Sequence, residues 1–295
     1  MSDGRWPNAT GRVVTCETVP VSTSPRVLLS LGGYACEGGL DGRYQPATCY
    51  SPTIALGRHP GPGGAEGLWE DYEVVLDLAG EMALSGVCLE VSWARLEPHR
   101  GQRDEAALAR YAEVVAHARR LGLWVSVAAI DAAWPAWLGL EAWLMPWVTP
   151  VAINYVSWLT SSLDADAFSV YASRALLTRG FLVEDAGPPW RRGARDDAVS
   201  AAKNLEFIEE AVRADANVNF VSSVNLELDD ARDMSLFDVD EVHLQSLVRG
   251  SGPLAGTRGL VALRGDTWVV ADVELARELR IRPQDSVADS VEDSA

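Results

Sequence analysis

Three carboxylates lie on or just after predicted strands of the sequence and could exchange protons with a bound molecule. If Leu89 and Val91 face covering helices, the alternation of a strand turns Glu90 toward the interior of the sheet. Asp131 and Glu37 come from the ends of neighbouring strands, so the three side chains would form an acidic cluster. Crowded carboxylates raise one another's pKa, which produces a general acid at neutral pH. We therefore predict Glu90, Asp131 and Glu37 as candidate catalytic residues.

Glu90 also has an ordinary structural interpretation. Buried ion pairs perturb carboxylates much as catalytic sites do. An inward-facing cation such as Arg264 would pair with Glu90 and leave it without a role in chemistry. Both interpretations are open from the sequence.

Several tryptophans near the strand ends offer flat apolar faces that suit stacking on a sugar or another ring. Trp134, Trp143 and Trp147 lie in a predicted loop, where stacking on a ligand and packing in the core are equally good interpretations. Core packing is the better interpretation for Trp93 and Trp137. We retain Trp134, Trp143 and Trp147 as candidate substrate-binding residues.

The stretch from residue 68 to residue 150 positions these side chains, because two helix-then-strand units follow one another there. Apolar residues at three- and four-residue steps predict one helix from Leu68 and a second that Asp104 opens. Short apolar runs predict buried parallel strands at 87–93 and 123–130. Helices and strands that alternate at this spacing are the repeating unit of a parallel α/β fold.

Two local runs are more specific than this periodicity. Ser-Trp-Ala-Arg-Leu-Glu-Pro at 92–98 ends one predicted strand, and Trp-Pro-Ala-Trp-Leu at 134–138 directly follows the next. Together they resemble the family 1 glycoside hydrolases, the retaining β-glucosidase family, whose second strand ends in Ser-Trp-Ser-Arg-Leu-x-Pro and whose third leads into Pro-x-Trp-Leu. The resemblance extends back to 30–39 and weakly forward to 170–189. It implies a TIM-type (β/α) barrel with its site at the carboxyl ends of the strands.

The chain departs from the resembled family where that family carries its chemistry. Retaining glycosidases need two carboxylates roughly 5 to 5.5 Å apart, which the family supplies from an Asn-Glu-Pro run and a Thr-Glu-Asn-Gly run. Here the first place holds Tyr-Ala-Ser at 171–173 or Asp-Ala-Phe at 166–168, and the second aligns best with Ser-Val-Asn-Leu at 223–226. Both catalytic glutamates are missing from these positions, so ordinary β-glucosidase activity is not expected.

Other family positions change together with the two glutamates. The arginine on the family's second strand corresponds to Cys88, and its sugar-binding histidine after the third strand corresponds to Asp131. In one register the hydroxyl of Tyr171 would lie near the lost acid, which makes Tyr171 a candidate substrate-binding residue, although a tyrosine packed under a loop is as common. Arg95 is a further candidate, and anchoring the loop beneath the site is its better interpretation.

The periodic patterns predict a shortened barrel with six strands rather than eight. We interpret the fifth and sixth βα units as reduced or absent. Such a barrel would have an open edge, and exposed strand edges are normally covered or paired, so a homodimer is predicted to cover the gap. The predicted strands are 26–30, 87–93, 123–130, 167–172, 217–224 and 259–263, and the later predicted helices are 199–212, 239–248 and 273–279.

Composition limits the partners and cofactors. The 295 residues carry a net charge of -17 and a pI near 4.6, which repels nucleic acid and anionic membranes. The sequence shows neither a membrane-spanning apolar run nor the layout of an export signal, which predicts a cytoplasmic protein without a membrane partner. No spacing indicates zinc, a phosphate loop, a dinucleotide or a Ser-His-Asp arrangement, so no metal and no cofactor are predicted.

One domain is predicted over 26–282, between a flexible N-terminal arm at 1–25 and an acidic disordered tail at 283–295. The four cysteines lack metal-ligand spacing, and reduced thiols are favoured over a bridge between Cys36 and Cys49. The four histidines are predicted to lie on the surface: His59, His99, His117 and His243.

Two functions of different classes follow from these features. In the first, the barrel is an enzyme that acts on a glycoside or a small ring-containing metabolite, with Glu90 and Asp131 transferring protons. In the second, it is a catalytically inactive relative that binds a sugar-like ligand or a protein partner. Fold resemblance does not choose between them once the site has changed.

Overall fold

The computed structural model describes residues 25–34, 36–40, 46–59, 61–62, 67–183, 187–191, 193–215, 217–226, 239–245, 247–248, 260–264 and 267–270. The strands are β1 (Arg26–Gly32), β2 (Gly86–Glu90), β3 (Trp124–Ile130), β4 (Ala167–Tyr171), β5 (Ser223–Leu226), β6 (Glu241–Gln245), β7 (Leu247–Val248), β8 (Val261–Arg264) and β9 (Thr267–Val270). The α-helices are α1 (Ser51–Ala55), α2 (Leu68–Glu81), α3 (Trp93–Leu96), α4 (Glu105–Arg120), α5 (Val148–Ser162), α6 (Arg174–Arg179) and α7 (Arg195–Asp215).

The central sheet is a parallel one of six strands, ordered β4-β3-β2-β1-β6-β5. Its outermost strands meet at a single bridge between Phe168 of β4 and Phe220, three residues before β5. At this bridge the Phe168 N–H donates to the Asn219 carbonyl at 2.8 Å, and the Val221 N–H donates to the Phe168 carbonyl at 2.9 Å. The fold is therefore an incomplete TIM-type barrel, with six strands and a narrow bridged seam in place of the open edge that the sequence predicts.

The first half of the barrel follows the predicted elements closely, because its helices have local start signals. The Asp104 carboxylate accepts from the Ala107 N–H at 2.9 Å and caps α4. The Ser92 hydroxyl accepts from the Arg95 N–H at 3.3 Å and caps α3. Gly86 lets β2 approach β3, since a Cβ at this position would lie 2.2 Å from the Trp124 carbonyl oxygen.

The prediction of a helix at 239–248 is wrong, because Glu241–Gln245 form β6 and Leu247–Val248 form β7. Val242 and Leu244 pack in the main core, while Glu241 and His243 alternate with them and are also buried. This two-residue alternation belongs to a strand with a polar inner face. His243 is therefore inside the barrel and not on the surface as predicted.

A second, three-stranded sheet of β7, β8 and β9 lies outside the barrel. The predicted strand at 259–263 corresponds to β8 and thus belongs to this small sheet. The last barrel strand in chain order is β6 instead, which lies between β1 and β5. Trp268 of β9 donates from Nε1 to the Asp71 carboxylate of α2 at 2.9 Å, which ties the small sheet to the first barrel helix.

Some predictions fall on residues outside the described set. These are the N-terminal arm up to residue 24, the helix at 273–279 and the acidic tail at 283–295. The side chain of Arg264 is outside it as well. Within the described chain, no helix is long and apolar enough to cross a bilayer.

Candidate functional site

Glu37, in the loop after β1, is fully enclosed by donors from the chain. Its Oε1 accepts from the hydroxyls of Tyr72 and Tyr111, each at 2.7 Å, and its Oε2 accepts from Arg95 Nε at 3.2 Å. Burial raises the pKa of the Glu37 carboxyl, and the Arg95 guanidinium opposes that rise. This network fastens the loop after β1 to α2, α3 and α4.

Arg95 lies beneath the same loop. Its Nη2 donates to the Gly38 carbonyl at 2.7 Å, and its guanidinium stacks over the Trp69 ring at 4.0 Å. All of these contacts are with the chain itself. The arrangement is that of a loop anchor.

Asp131, directly after β3, is buried at the barrel mouth. Its Oδ2 accepts from the Tyr34 N–H at 2.6 Å, and its Oδ1 accepts from the Ala132 N–H. A Cβ on Gly33, which has φ +70, would lie 2.8 Å from Oδ2, so only glycine permits this approach of the two loops. The Asp131 charge also adds to the raised pKa of Glu37.

Glu90, the last residue of β2, faces the barrel interior as its alternation predicted. The Ser30 hydroxyl of β1 donates to Glu90 Oε1 at 2.5 Å. Glu90 is only half-buried, whereas Glu37 and Asp131 are buried. The Cys88 thiol lies two residues below, where burial and then the Glu90 charge raise its pKa. Of the three candidate carboxylates, Glu90 is the one that solvent reaches most.

Tyr171 faces away from the barrel interior, toward the helix layer. Its hydroxyl donates to the Leu205 carbonyl of α7 at 2.8 Å, and the residue belongs to the core between sheet and helices. Burial raises the pKa of its phenol. The structure thus separates the Tyr171 hydroxyl from the three carboxylates.

The three loop tryptophans differ in exposure. Trp134 and Trp143 are buried and pack edge to face at 5.4 Å, and Trp134 Nε1 donates to the Gly139 carbonyl at 2.8 Å. Trp147 is 38% exposed, and the Arg100 guanidinium lies over its ring at 4.8 Å. Only Trp147 of these three presents a ring to solvent.

Trp147 lines an open groove of about 600 Å³ on the carboxyl face of the barrel, between the loop after β3 and the loop after β4. Arg191 crosses this groove, with its guanidinium 2.8 Å from the Glu141 carboxylate and 2.9 Å from that of Asp197. The wall is otherwise mainly apolar, and its lining residues are Leu138, Gly139, Leu140, Glu141, Met145, Trp147, Pro189 and Arg191.

An aromatic cluster that the sequence did not reveal lies beside Asp131. Tyr34 and Tyr50 stack at 4.7 Å, and the rings of His59 and Trp190 lie 5.1 and 5.7 Å from that of Tyr50. Burial raises the pKa of Tyr50, and the charges of Cys49 and Asp131 add to the rise. These residues come from separate loops, so no spacing in the sequence brings them together. His59 is half-buried here, contrary to its predicted surface position.

A second polar group that sequence reasoning missed lies deep in the barrel. Glu241 accepts from Trp124 Nε1 at 2.9 Å and lies 2.9 Å from His243 Nε2. His243 Nδ1 has no hydrogen-bond partner within the described part of the chain. The period-two pattern of β6 is the signal that could have identified this pair. Where the chain is described, no three His, Cys, Asp or Glu residues are arranged to hold a metal ion.

The end of β4 carries no carboxylate, because Tyr171, Ala172 and Ser173 stand there. β5 ends at Leu226, and the residues directly after it lie outside the described set. The described strand ends thus offer Glu90 on β2 and Asp131 directly after β3, and no carboxylate at the end of β4.

Comparison with known proteins supports the fold. No protein-family model and no curated protein matches the sequence. Solved structures with a similar fold include the AHE enzyme from Alicyclobacillus herbarius, with a TM-score of 0.60 and 18% identity, over 70% of this chain and 49% of that one. A β-glucosidase from Exiguobacterium marinum has a TM-score of 0.58 and 16% identity, over 68% of this chain and 52% of that one.

The family 1 β-glucosidase from Thermotoga maritima, solved with isofagomine lactam, has a TM-score of 0.59 and 12% identity, over 70% of this chain and 49% of that one. The chain therefore spans about half the length of the structures that it resembles. At these identities the likeness shows the fold alone. That fold is a shortened, divergent form of the family 1 glycoside hydrolase barrel.

Proposed function

We propose that this protein binds a sugar-like ring ligand at the carboxyl face of the barrel and does not hydrolyse it by the retaining double displacement. The observation that carries the proposal is the open groove in which Trp147 exposes its ring. An aromatic face beside apolar walls suits the apolar face of a sugar ring, and the Glu141 and Arg191 side chains can bond its hydroxyls.

The state of the carboxylates supports binding without hydrolysis. Glu37 accepts three hydrogen bonds from the chain, and Asp131 accepts two from backbone amides. A general acid or nucleophile must instead reach the substrate. The end of β4 supplies no further carboxylate, so the described residues lack the acid pair of a retaining glycosidase at its usual place.

A second candidate function is acid/base chemistry on a glycoside or a small ring-containing metabolite. The observation that favours it is the partial exposure of Glu90, together with the 2.5 Å bond from Ser30 that orients its carboxyl. In this alternative Glu90 transfers the proton and Asp131 acts as its charged neighbour.

One probe separates the two functions. 4-Nitrophenyl β-glucoside reports hydrolysis by its released phenolate, and calorimetric titration reports its binding. We expect binding that Trp147→Ala weakens, with no hydrolysis by the wild type or by Glu90→Gln. Hydrolysis that Glu90→Gln abolishes would support the second candidate, and hydrolysis by both proteins would require acids that neither candidate includes. Leu121→Ala, at a 39% exposed position, is the matched control for Trp147→Ala.

The acidic charge of -17 supports a further part of the proposal, that nucleic acid is not a partner. A cytoplasmic location remains a prediction of the sequence. The division into an arm, a barrel domain and a tail also remains a prediction.

A further inference from the structure

Loops from opposite sides of the barrel meet over its mouth. In the ring of six strands, two strands separate β1 from β4 on either side, so the loops that follow β1 and β4 face each other. Tyr34, Tyr50 and His59 follow β1, and Trp190 follows β4 and α6. The Tyr50 ring lies 5.7 Å from the Trp190 ring, edge to face, and the His59 ring lies 6.5 Å from it. These four rings, here called the aromatic cover, therefore reach across the opening.

The aromatic cover lies over the end of β2, where Glu90 stands. β2 lies between β1 and β3 in the sheet. The Tyr34 N–H, after β1, donates to Asp131 Oδ2, after β3, at 2.6 Å, and the Tyr34 ring stacks on that of Tyr50 at 4.7 Å. The contacts thus run from Asp131, past the end of β2, to Trp190. The side chain of Glu90 is still partly exposed, so the space beneath the cover has room for at least a water molecule.

The Trp190 side of the cover is held in place by its backbone. Trp190 has φ +55, in the left-handed region that is strained for a bulky side chain. Its N–H donates to the Gly187 carbonyl at 2.9 Å, and the Arg191 N–H donates to the Gly180 carbonyl at 2.8 Å. A Cβ on Gly180 would lie 2.0 Å from the Pro188 carbonyl oxygen, so only glycine lets this segment pack on the end of α6. Strain that the surroundings hold in place is typical of ligand clamps and switch regions.

The Tyr50 side of the cover is anchored as well. The Cys49 N–H donates to the Trp134 carbonyl at 2.9 Å, which ties this loop to the one after β3. The two sides also approach closely, because a Cβ on Gly187 would lie 3.0 Å from the Tyr50 hydroxyl oxygen. With both sides anchored, the rings fix the width of the passage to Glu90.

We propose that the aromatic cover is a size filter for the barrel interior, which admits polar molecules of a few heavy atoms to Glu90 and keeps a sugar ring out. Tyr50 and Trp190 set the limit, because their rings meet across the opening. Beneath them the Glu90 carboxylate, which accepts from the Ser30 hydroxyl, favours a molecule that donates hydrogen bonds. The groove that Trp147 lines does not include these rings, so the filter does not rest on what the groove binds.

A thiol placed at the position of Glu90 tests the filter. In the full chain with Glu90→Cys, methyl and benzyl methanethiosulfonate transfer a small group and a ring-sized group to this thiol. Both form a mixed disulfide and release methanesulfinate, and each rate is divided by the rate of the same reagent with free cysteine. Fragment spectra of the tryptic peptide separate modification at position 90 from modification at Cys88.

The benzyl reagent should modify position 90 roughly 10-fold more slowly than the methyl reagent, because it must wait for the rings to part. Trp190→Gly should remove this difference, and glycine suits the left-handed backbone at that position. Tyr50→Ala should do the same from the other side of the opening. Trp158→Ala removes a half-buried ring from the outer helix α5, and as the matched control it should leave the difference unchanged.

The opposite results exclude the filter. Equal corrected rates for the two reagents beneath the intact cover would show that a ring passes freely, and no reaction with the methyl reagent would show that nothing reaches Glu90. A difference that persists in both the Trp190→Gly and the Tyr50→Ala proteins would place the limit elsewhere. The same loss of discrimination in Trp158→Ala would indicate general loosening of the fold.

Discussion

The barrel is held together in two different ways, by strand pairing around most of the sheet and by a single bridge at the seam between β4 and β5. From β1 to β4, neighbouring strands pair over four or five residues, and the Glu37 network fastens the helices to them. Between β4 and β5 the barrel closes through one residue pair, with α7 lying across it. The difference teaches that one residue pair is enough to join the outer strands of this barrel.

The largest expected effect concerns the Glu37 network of the first half. Glu37→Ala leaves the mostly buried Arg95 guanidinium without its charged partner, which should lower the free energy of unfolding by about 3–5 kcal/mol. Urea denaturation measures this change. Glu73→Ala removes a more exposed partner from Arg110 and should cost no more than about 1 kcal/mol. Equal losses of unfolding free energy in the two variants would show that the Glu37 network stabilises the fold no more than the exposed pair of Glu73 and Arg110 does.

A substitution at the seam should cost less stability than one in the Glu37 network, and its effect should stay local. Phe220→Ala removes a half-buried ring and should lower the free energy of unfolding by about 1–3 kcal/mol, below the range for fully buried phenylalanines. Hydrogen exchange should accelerate at the Phe168 and Val221 amides, while the Leu89 amide in the middle of the sheet keeps its protection. Uniform acceleration across the sheet would mean that the seam is as cooperative as the other strand pairs. Val74→Ala, at an exposed position, is the control.

The two glutamates should also give opposite responses to pH. Burial raises the pKa of Glu37, so its folded form holds a proton more strongly than the unfolded chain does. Its contribution to stability is present below the unfolded pKa of 4.5 and is lost as pH rises through the folded pKa, by up to about 1.4 kcal/mol per pH unit. The difference in unfolding free energy between wild type and Glu37→Gln should therefore shrink as pH rises from 4.5.

The contribution of Glu73 to stability should change with pH in the opposite direction to that of Glu37. The hydrogen bond from Arg110 lowers the pKa of Glu73, so its stabilising contribution is present above pH 4.5 and is lost as pH falls. The wild type should gain over Glu73→Gln as pH rises, by a small amount because the group is partly exposed. If the stability difference between wild type and variant changed with pH in the same direction for both glutamates, burial would not be what sets the pKa of Glu37. Denaturation curves recorded at several pH values supply the measurement.

The smallest expected effect lies at the groove. Trp147→Ala should weaken the binding of 4-nitrophenyl β-glucoside by about 2- to 12-fold, because stacking on an aromatic ring contributes about 0.5–1.5 kcal/mol. Calorimetric titration would detect this change. The equivalent change at the buried Trp143 should instead lower stability, and an unchanged affinity in a folded Trp147→Ala protein would exclude the groove as the binding surface.

The sequence was most informative where the determining interactions are local. The helix from Glu105 and the strand from Trp124 were predicted because caps and periodicity lie within the same few residues. The helix prediction at 239–248 was wrong because Glu241 and His243 are polar residues inside a strand. Trp124, which bonds to Glu241, lies more than a hundred residues away in the sequence. A buried polar alternation is easily mistaken for an amphipathic helix when its partners are distant.

The candidate site shows the same division between local and distant determinants. The interior direction of Glu90 followed from the alternation of one strand. The enclosure of Glu37 by Tyr72 and Tyr111, and the grouping of Tyr34 with Tyr50 and Trp190, depend on how separate loops fold over one another. No pattern within one segment could have predicted these contacts.

The meeting of Phe168 and Phe220 has a consequence for how such chains can change in evolution. The six strands of the central sheet point the same way, and helices join each strand to the next from β1 to β5, so whole strand-helix modules can be deleted or inserted without reversing the chain direction. The short stretch between α7 and Phe220 is the natural splice point for such an exchange. One aromatic pair at the seam is sufficient to join the two outer strands once such a module is absent.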